Sequence, residues 1–131
     1  MRLLLDTHIW LWSRLDPERL SRRVARELLN PGNELWLSPV SAWEVLLLSE
    51  KGRVVLDGGA GAWIEKAMSA VPLREAPFTH EVALATASIH LPHRDPADRF
   101  LAATAKVYGL TLVTADQNLG RAKGFGVLMN R

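Results

Sequence analysis

The chain has 131 residues and a mass of 14.6 kDa, the size of one domain. With 48% hydrophobic and 23% charged residues it is neither a disordered tail, a collagen-like rod nor a coiled coil. It has no cysteine, which excludes disulfide frameworks, zinc-thiolate sites and thiol catalysis and makes the cytoplasm the expected compartment. Sixteen basic residues face 14 acidic ones, and most of the basic ones are arginine, the better fork for phosphate and carboxylate. The longest apolar run, Leu3 to Leu15, is interrupted by Asp6, His8, Ser13 and Arg14. It suits neither a membrane span nor a signal peptide.

Leu3-Leu4-Leu5 reads as a short strand buried on both faces. A helical stretch with Ile9, Trp10 and Trp12 follows. Ser21 opens a second helix, and Asn30-Pro31-Gly32-Asn33 is a turn. Leu35-Trp36-Leu37 is a second buried strand with Trp36 in the core. Ser38-Pro39 ends it and opens a helix to about Lys51, stopped by Gly52. A looser helix covers about Ala62 to Ala70, and Val71 to Ala76 alternates like a strand. Thr79 caps a helix ending near Ile89. Asp95-Pro96 puts a capping acid before a first-turn proline, and that helix reaches Tyr108 with Gly109 after it. Leu110 to Thr114 and Val127 to Met129 complete the strands. Strands alternating with helices imply an α/β fold, a parallel sheet covered by helices on both faces. Ligands of such sheets sit beyond the carboxyl ends of the strands.

Four acids stand where that rule directs attention. Asp6 directly follows the first strand, and Asp116 lies just past the Leu110–Thr114 strand. Glu44 and Asp98 lie in the first turns of helices. Each also has a structural explanation. Asp6 and Asp116 suit helix caps or turns. Ser41-Ala42-Trp43-Glu44 fits a capping box, with Glu44 reaching back to Ser41. Asp98 complements a helix dipole. If all four converge, their ionised forms repel, and a hard divalent cation such as Mg2+ or Mn2+ relieves the repulsion. Such an ion activates water and clamps a phosphodiester. Ten acids then remain against 16 basic residues on the rest of the chain, a balance suited to an anionic polymer. Arg94 and Arg99 flank the Asp95–Asp98 segment, as phosphate contacts or as local partners of those acids.

These motifs, Leu3-Leu4-Leu5-Asp6-Thr7-His8, Ser41-Ala42-Trp43-Glu44, Arg94-Asp95-Pro96-Ala97-Asp98-Arg99 and Thr114-Ala115-Asp116, resemble those of the PIN-domain ribonucleases. The VapC-type toxins of bacterial toxin–antitoxin pairs are the most similar branch. The resemblance spans essentially the whole chain. It implies a three-layer α/β/α sandwich around a central parallel sheet, formed by residues 1–131 as a single nuclease domain. It implies Mg2+- or Mn2+-dependent cleavage of RNA, with water at the ion as nucleophile and no protein nucleophile. Asp6, Glu44, Asp98 and Asp116 match the metal-site acids. Asp98 takes the family position because Arg99-Phe100-Leu101-Ala102-Ala103-Thr104 follows it, which leaves Asp95 as a cap, a supporting group or a substrate contact. Thr7 and Thr114 are supporting residues beside the acids. The implied partners are an RNA substrate, a small antitoxin and a second copy of the chain.

Three rival readings follow from the same residues. A non-catalytic PIN-like RNA-binding or scaffold domain would share the fold. A phosphatase of the haloacid-dehalogenase type needs a second Asp where His8 stands. A receiver domain needs an acidic pair and a late lysine that are not placed here. His8 reads as an orienting or structural residue, and His80, His90 and His93 have no ligand spacing. Trp10 and Trp12 point to different sides of one helix, so one of them is a candidate partner surface, the alternative being that all five tryptophans are core.

Overall fold

The computed structural model describes residues 1–92 and 95–131. The elements in chain order are β1 (Arg2–Leu5), α1 (Thr7–Leu15), α2 (Arg22–Leu29), β2 (Glu34–Leu37), α3 (Pro39–Glu50), α4 (Ala60–Ala70) and β3 (Arg74–Glu75). Then come α5 (His80–Ala85), α6 (Pro96–Tyr108), β4 (Thr111–Thr114), α7 (Gln117–Arg121) and β5 (Gly126–Met129). Short 3-10 turns follow α1 and α5.

The strands form a five-stranded sheet of order β3-β2-β1-β4-β5, and every pairing is parallel. Chain order reverses beside the central β1, where β2 lies on one side and β4 on the other. That reversal opens a crevice at the carboxyl ends of β1 and β4. Register fixes the neighbours there, with Leu5 of β1 opposite Val113 of β4.

The strand period of two divides the core into two layers. Leu3 and Leu5 pack on one face with Ile9 and Trp10 of α1, Val24 of α2, Val45 of α3 and Ile64 of α4. Leu4 points the other way, into Val82 of α5, Leu101 and Ala102 of α6 and Leu119 of α7. Two helical layers thus enclose the sheet, and the α/β/α sandwich is the observed fold. Burying one leucine of this kind contributes about 1.5–3 kcal/mol. A one-residue slip of β1 would exchange its two faces, so the run Leu3-Leu4-Leu5 pins the register from both sides.

The structure corrects some expected boundaries. Of the expected Val71–Ala76 strand, which the Ala76 amide closes by donating to the Leu37 carbonyl, Arg74 and Glu75 form the ladder at the edge of the sheet. Both are exposed, and charged side chains on so short a strand discourage further pairing. With little beyond β2 to cover it, Trp36 is only half-buried rather than core. Its ring stacks on Tyr108 and lies beneath the guanidinium groups of Arg2 and Arg74. The helix opened by Thr79 ends at Ala85 and tightens into a 3-10 turn through Ser88. Helix α7 has no counterpart in the sequence reading. Its Gly120 faces Met129 of β5, and a Cβ there would come within 2.4 Å of the methionine sulfur. Glycine lets the short helix lie close against the edge strand.

Among the described residues, no helix is long and apolar enough to cross a membrane.

Candidate active site

Asp6 leaves β1 and becomes the N-cap of α1, its Oδ1 accepting the Thr7 amide at 2.7 Å. Its other oxygen, Oδ2, accepts the Thr114 hydroxyl at 2.7 Å. The Thr114 oxygen in turn accepts the Asp116 amide at 3.0 Å. Asp116 caps α7, with Oδ1 accepting the amides of Asn118 at 2.7 Å and Leu119 at 3.4 Å. Both acids are therefore caps, as one expectation had it. A cap occupies lone pairs of one oxygen and leaves the carboxylate capable of further bonding.

Glu44 is not the N3 residue of a capping box. Ser38 caps α3, its hydroxyl accepting the Val40 amide at 3.0 Å. Ser41 lies one turn inside the helix, fully buried. The Thr7 hydroxyl stands 2.5 Å from Glu44 Oε1 and 3.0 Å from Ser41 Oγ. Thr7 has one hydroxyl hydrogen, and the charged acceptor takes it; Ser41 then donates into the Thr7 oxygen. A continuous set of bonds therefore joins Asp116, Thr114, Asp6, Thr7 and Glu44 across β4, β1, α1 and α3. Thr7 and Thr114 are 1% and 0% exposed, and the bonds of both to Asp6 are shielded from water.

Asp98 stands half-buried in the first turn of α6, and Asp95 caps that helix through Oδ1 to the Ala97 amide at 3.0 Å. Burial and the nearby charges of Asp95, Asp6, Asp116 and Glu44 push the Asp98 carboxyl up to about 8. A helix N-terminus favours the ionised form by about 0.3–1 kcal/mol. Asp98 does stand in the first turn, as the dipole reading has it, but burial and like charge outweigh that stabilisation. Burial also raises Asp6, against the opposing bonds from Thr114 and Thr7. Burial raises Glu44, with the Thr7 bond opposing and the charges of Asp6 and Asp95 adding to the rise. The acids of four different segments thus sense one another's charge at the carboxyl edge of the sheet.

Arg99 makes backbone contacts that the sequence reading did not include. Its guanidinium donates to the carbonyls of Ile89 at 2.8 Å and Thr86 at 3.4 Å, closing the turn after α5. Arg94 and His93 lie outside the described residues.

The acids supply hard oxygen donors, the type that Mg2+ and Mn2+ prefer. Among the described residues, no three His, Cys, Asp or Glu side chains are arranged as a direct ligand set. Mg2+ asks for less than that, since it retains several waters and takes one or two carboxylates directly. The donor chemistry and the accumulated negative charge fit such an ion.

Sequence reasoning missed the wall beside the acids. His8, Trp43, Leu47, Lys51, Arg53 and Phe100 line a cleft of about 350 Å3 that reaches Glu44 and Asp95. The signal was present in the i, i+4 spacing of Trp43 and Leu47, which share a face of α3.

The PIN domain family model matches residues 3–124. Ribonuclease VapC22 of Mycobacterium tuberculosis is 36% identical over 120 residues, covering 89% of this chain and 88% of that protein. In fold, the chain is similar to VapBC2 of Rickettsia felis bound to a DNA fragment from their promoter. That match has a TM-score of 0.73 at 18% identity and covers 98% of each chain. A toxin–antitoxin complex from Klebsiella pneumoniae gives a TM-score of 0.63 at 19% identity, again over 98% of each chain.

Proposed function

The chain belongs to the PIN-domain family, and on that premise we propose that it is a Mg2+- or Mn2+-dependent endoribonuclease. In this reading it is the cytoplasmic toxin of a bacterial toxin–antitoxin pair. Residues 1–131 form one nuclease domain that dimerises and is held in check by a small antitoxin. Similarity to a protein named ribonuclease VapC22 supports RNA as the substrate. Likeness to a toxin–antitoxin complex supports the partner.

The observation that carries the proposal is the bonded set Asp116–Thr114–Asp6–Thr7–Glu44, with Asp98 within reach of its charge. Asp6, Asp98, Asp116 and Glu44 are the groups that would hold the ion. Bound there, a divalent ion supplies Lewis-acid stabilisation of a phosphodiester and a lowered pKa for water. The chain's own contribution is orientation. Thr114 and the Thr7 amide fix both oxygens of Asp6, so its carboxylate presents one geometry. The Thr7 hydroxyl does the same for Glu44. Thr7 and Thr114 are positioning residues, acting through the acids they hold.

The rival reading is a non-catalytic PIN-like RNA-binding or scaffold domain, which would share the fold. Cleavage of a mixed RNA pool by wild type and Asp6→Asn, with Mg2+, with Mn2+ and with chelator, separates the two. Asparagine preserves the cap on α1, so both proteins fold. The nuclease reading expects metal-dependent cleavage by wild type and none by the variant. RNA binding without cleavage by either protein would establish the rival.

A further inference from the structure

Four of the five tryptophans are partnered. Trp10 packs against Trp63 with ring centroids 5.4 Å apart. Trp12 lies beside His8 and beneath the Arg19 guanidinium, which is 4.3 Å from its ring centroid. Trp36 has Tyr108, Arg2 and Arg74. Trp43 is the exception: among the described residues no ring or guanidinium covers it, and it is 52% exposed. A half-exposed indole offers a face on which a ligand ring can stack.

Its position says what that ligand is. Trp43 precedes Glu44 and lines the cleft of about 350 Å3 that reaches Glu44 and Asp95. Lys51 and Arg53 line the same cleft. Both are exposed, and neither has an ion pair among the described residues. Lys51, the C-cap of α3, stands seven positions after Glu44, about 10 Å at 1.5 Å per residue. An aromatic platform flanked by cations that follow a backbone is how single-stranded nucleic acid is held without base pairing. The negative charge sits at one end of the cleft and the positive charge at the other, which suits a strand whose cleaved phosphate lies at the acids and whose next phosphates lie by Lys51 and Arg53.

We propose that the cleft between α3 and the start of α6 is a single-stranded RNA subsite, in which a base next to the cleaved bond stacks on Trp43 and the following phosphates meet Lys51 and Arg53. This rests on the ribonuclease reading and adds to it a residue that selects the cleavage position. Trp43 touches the substrate away from the bond that breaks, so it governs binding and register rather than the chemical step.

The test uses the full chain with Trp43→Leu, Trp43→Phe and the double variant Lys51→Ala/Arg53→Ala, each checked by thermal melting. Cleavage of an RNA pool with Mg2+ gives the preferred site, and an oligonucleotide carrying that site gives KM and kcat. We expect Trp43→Leu to raise KM about tenfold with kcat nearly unchanged and to blur the nucleotide preference at one position, while Trp43→Phe retains most of both. The double variant should flatten the salt dependence of KM. An abasic nucleotide at the stacked position should abolish the difference between wild type and Trp43→Leu. Cleavage by Trp43→Leu with unchanged KM and unchanged site preference overturns the subsite and leaves the cleft to a protein partner. Absence of cleavage by wild type counts against the nuclease reading instead. In that case filter binding of a single-stranded oligonucleotide decides the subsite, with weaker binding by Trp43→Leu supporting it and equal binding overturning it.

Discussion

The Thr114 hydroxyl donates to Asp6 Oδ2 at 2.7 Å and so ties the carboxyl ends of β4 and β1 together. The two residues are 108 positions apart in the chain, and only the parallel pairing of β1 with β4 makes them neighbours. The bond favours the ionised form of Asp6 against the burial that opposes it. Thr114→Val keeps the shape and removes the donor. We expect the Asp6 carboxyl to move further up, so that the acidic limb of the rate–pH profile shifts to higher pH. Activity near pH 7 should fall by about 10–100-fold. Thr114→Ser should restore most of it. An unchanged pH profile in Thr114→Val would remove Thr114 from the positioning role.

Asp98 gives a stability prediction with a definite sign. Its carboxyl is raised from 3.8 to about 8 in the folded chain. The folded state therefore keeps the proton in a range where the unfolded chain has lost it. Stability then falls as pH rises from about 4 to about 8. Asp98→Asn removes the Asp98 share of this dependence and leaves that of Asp6 and Glu44. Without metal at pH 8 the variant should melt several degrees above wild type, for a difference of roughly 1 kcal/mol after solvent screening. The gap should close toward pH 4. Added Mg2+ should raise the melting temperature of wild type more than that of the variant. A variant that melts lower than wild type at pH 8 would assign Asp98 a structural role.

Much of this site was legible because apolar runs end abruptly in acids. Leu3-Leu4-Leu5 before Asp6 and Leu112-Val113-Thr114 before Asp116 locate strand ends and their following groups. Glu44 shows the limit of that reading. Ser38 and Ser41 are both plausible caps three positions apart, and the Glu44 partner, Thr7, lies 37 residues away. Local spacing favours the nearby serine, whereas strand order puts α1 beside α3. Helix α7 escaped for a different reason. Five residues with a glycine among them carry no helical period, and the close approach of Gly120 to Met129 is a tertiary requirement. Trp36 was misjudged because a buried strand needs full neighbours, and β3 supplies only two residues.

The motif Asp95-Pro96-Ala97-Asp98 offers two acids for one role, and the structure separates their environments. Asp95 caps α6 through the Ala97 amide at 3.0 Å and is exposed, while Asp98 is half-buried among the other acids. Asparagine caps as well as aspartate, so Asp95→Asn should melt like wild type and cleave RNA at a substantial fraction of its rate. Asp95→Ala should lose about 1 kcal/mol from the missing cap. Asp98→Asn should fold and lose metal-dependent cleavage. The reverse outcome, with Asp95→Asn inactive and Asp98→Asn active, would exchange the two assignments.

Arg99 tests the difference between a phosphate contact and a structural tie. Its guanidinium donates to the carbonyls of Ile89 and Thr86, and its buried Nε has no hydrogen-bond partner among the described residues. The charge is thus committed to the end of the turn after α5, where carbonyls accumulate. Arg99→Gln is too short to reach both carbonyls and leaves them unsatisfied. We expect a loss of about 1–3 kcal/mol in stability by chemical denaturation. The salt dependence of RNA binding should keep its slope, because no phosphate contact disappears. A slope reduced by about one unit, with stability unchanged, would instead mean that Arg99 leaves the turn and meets the substrate.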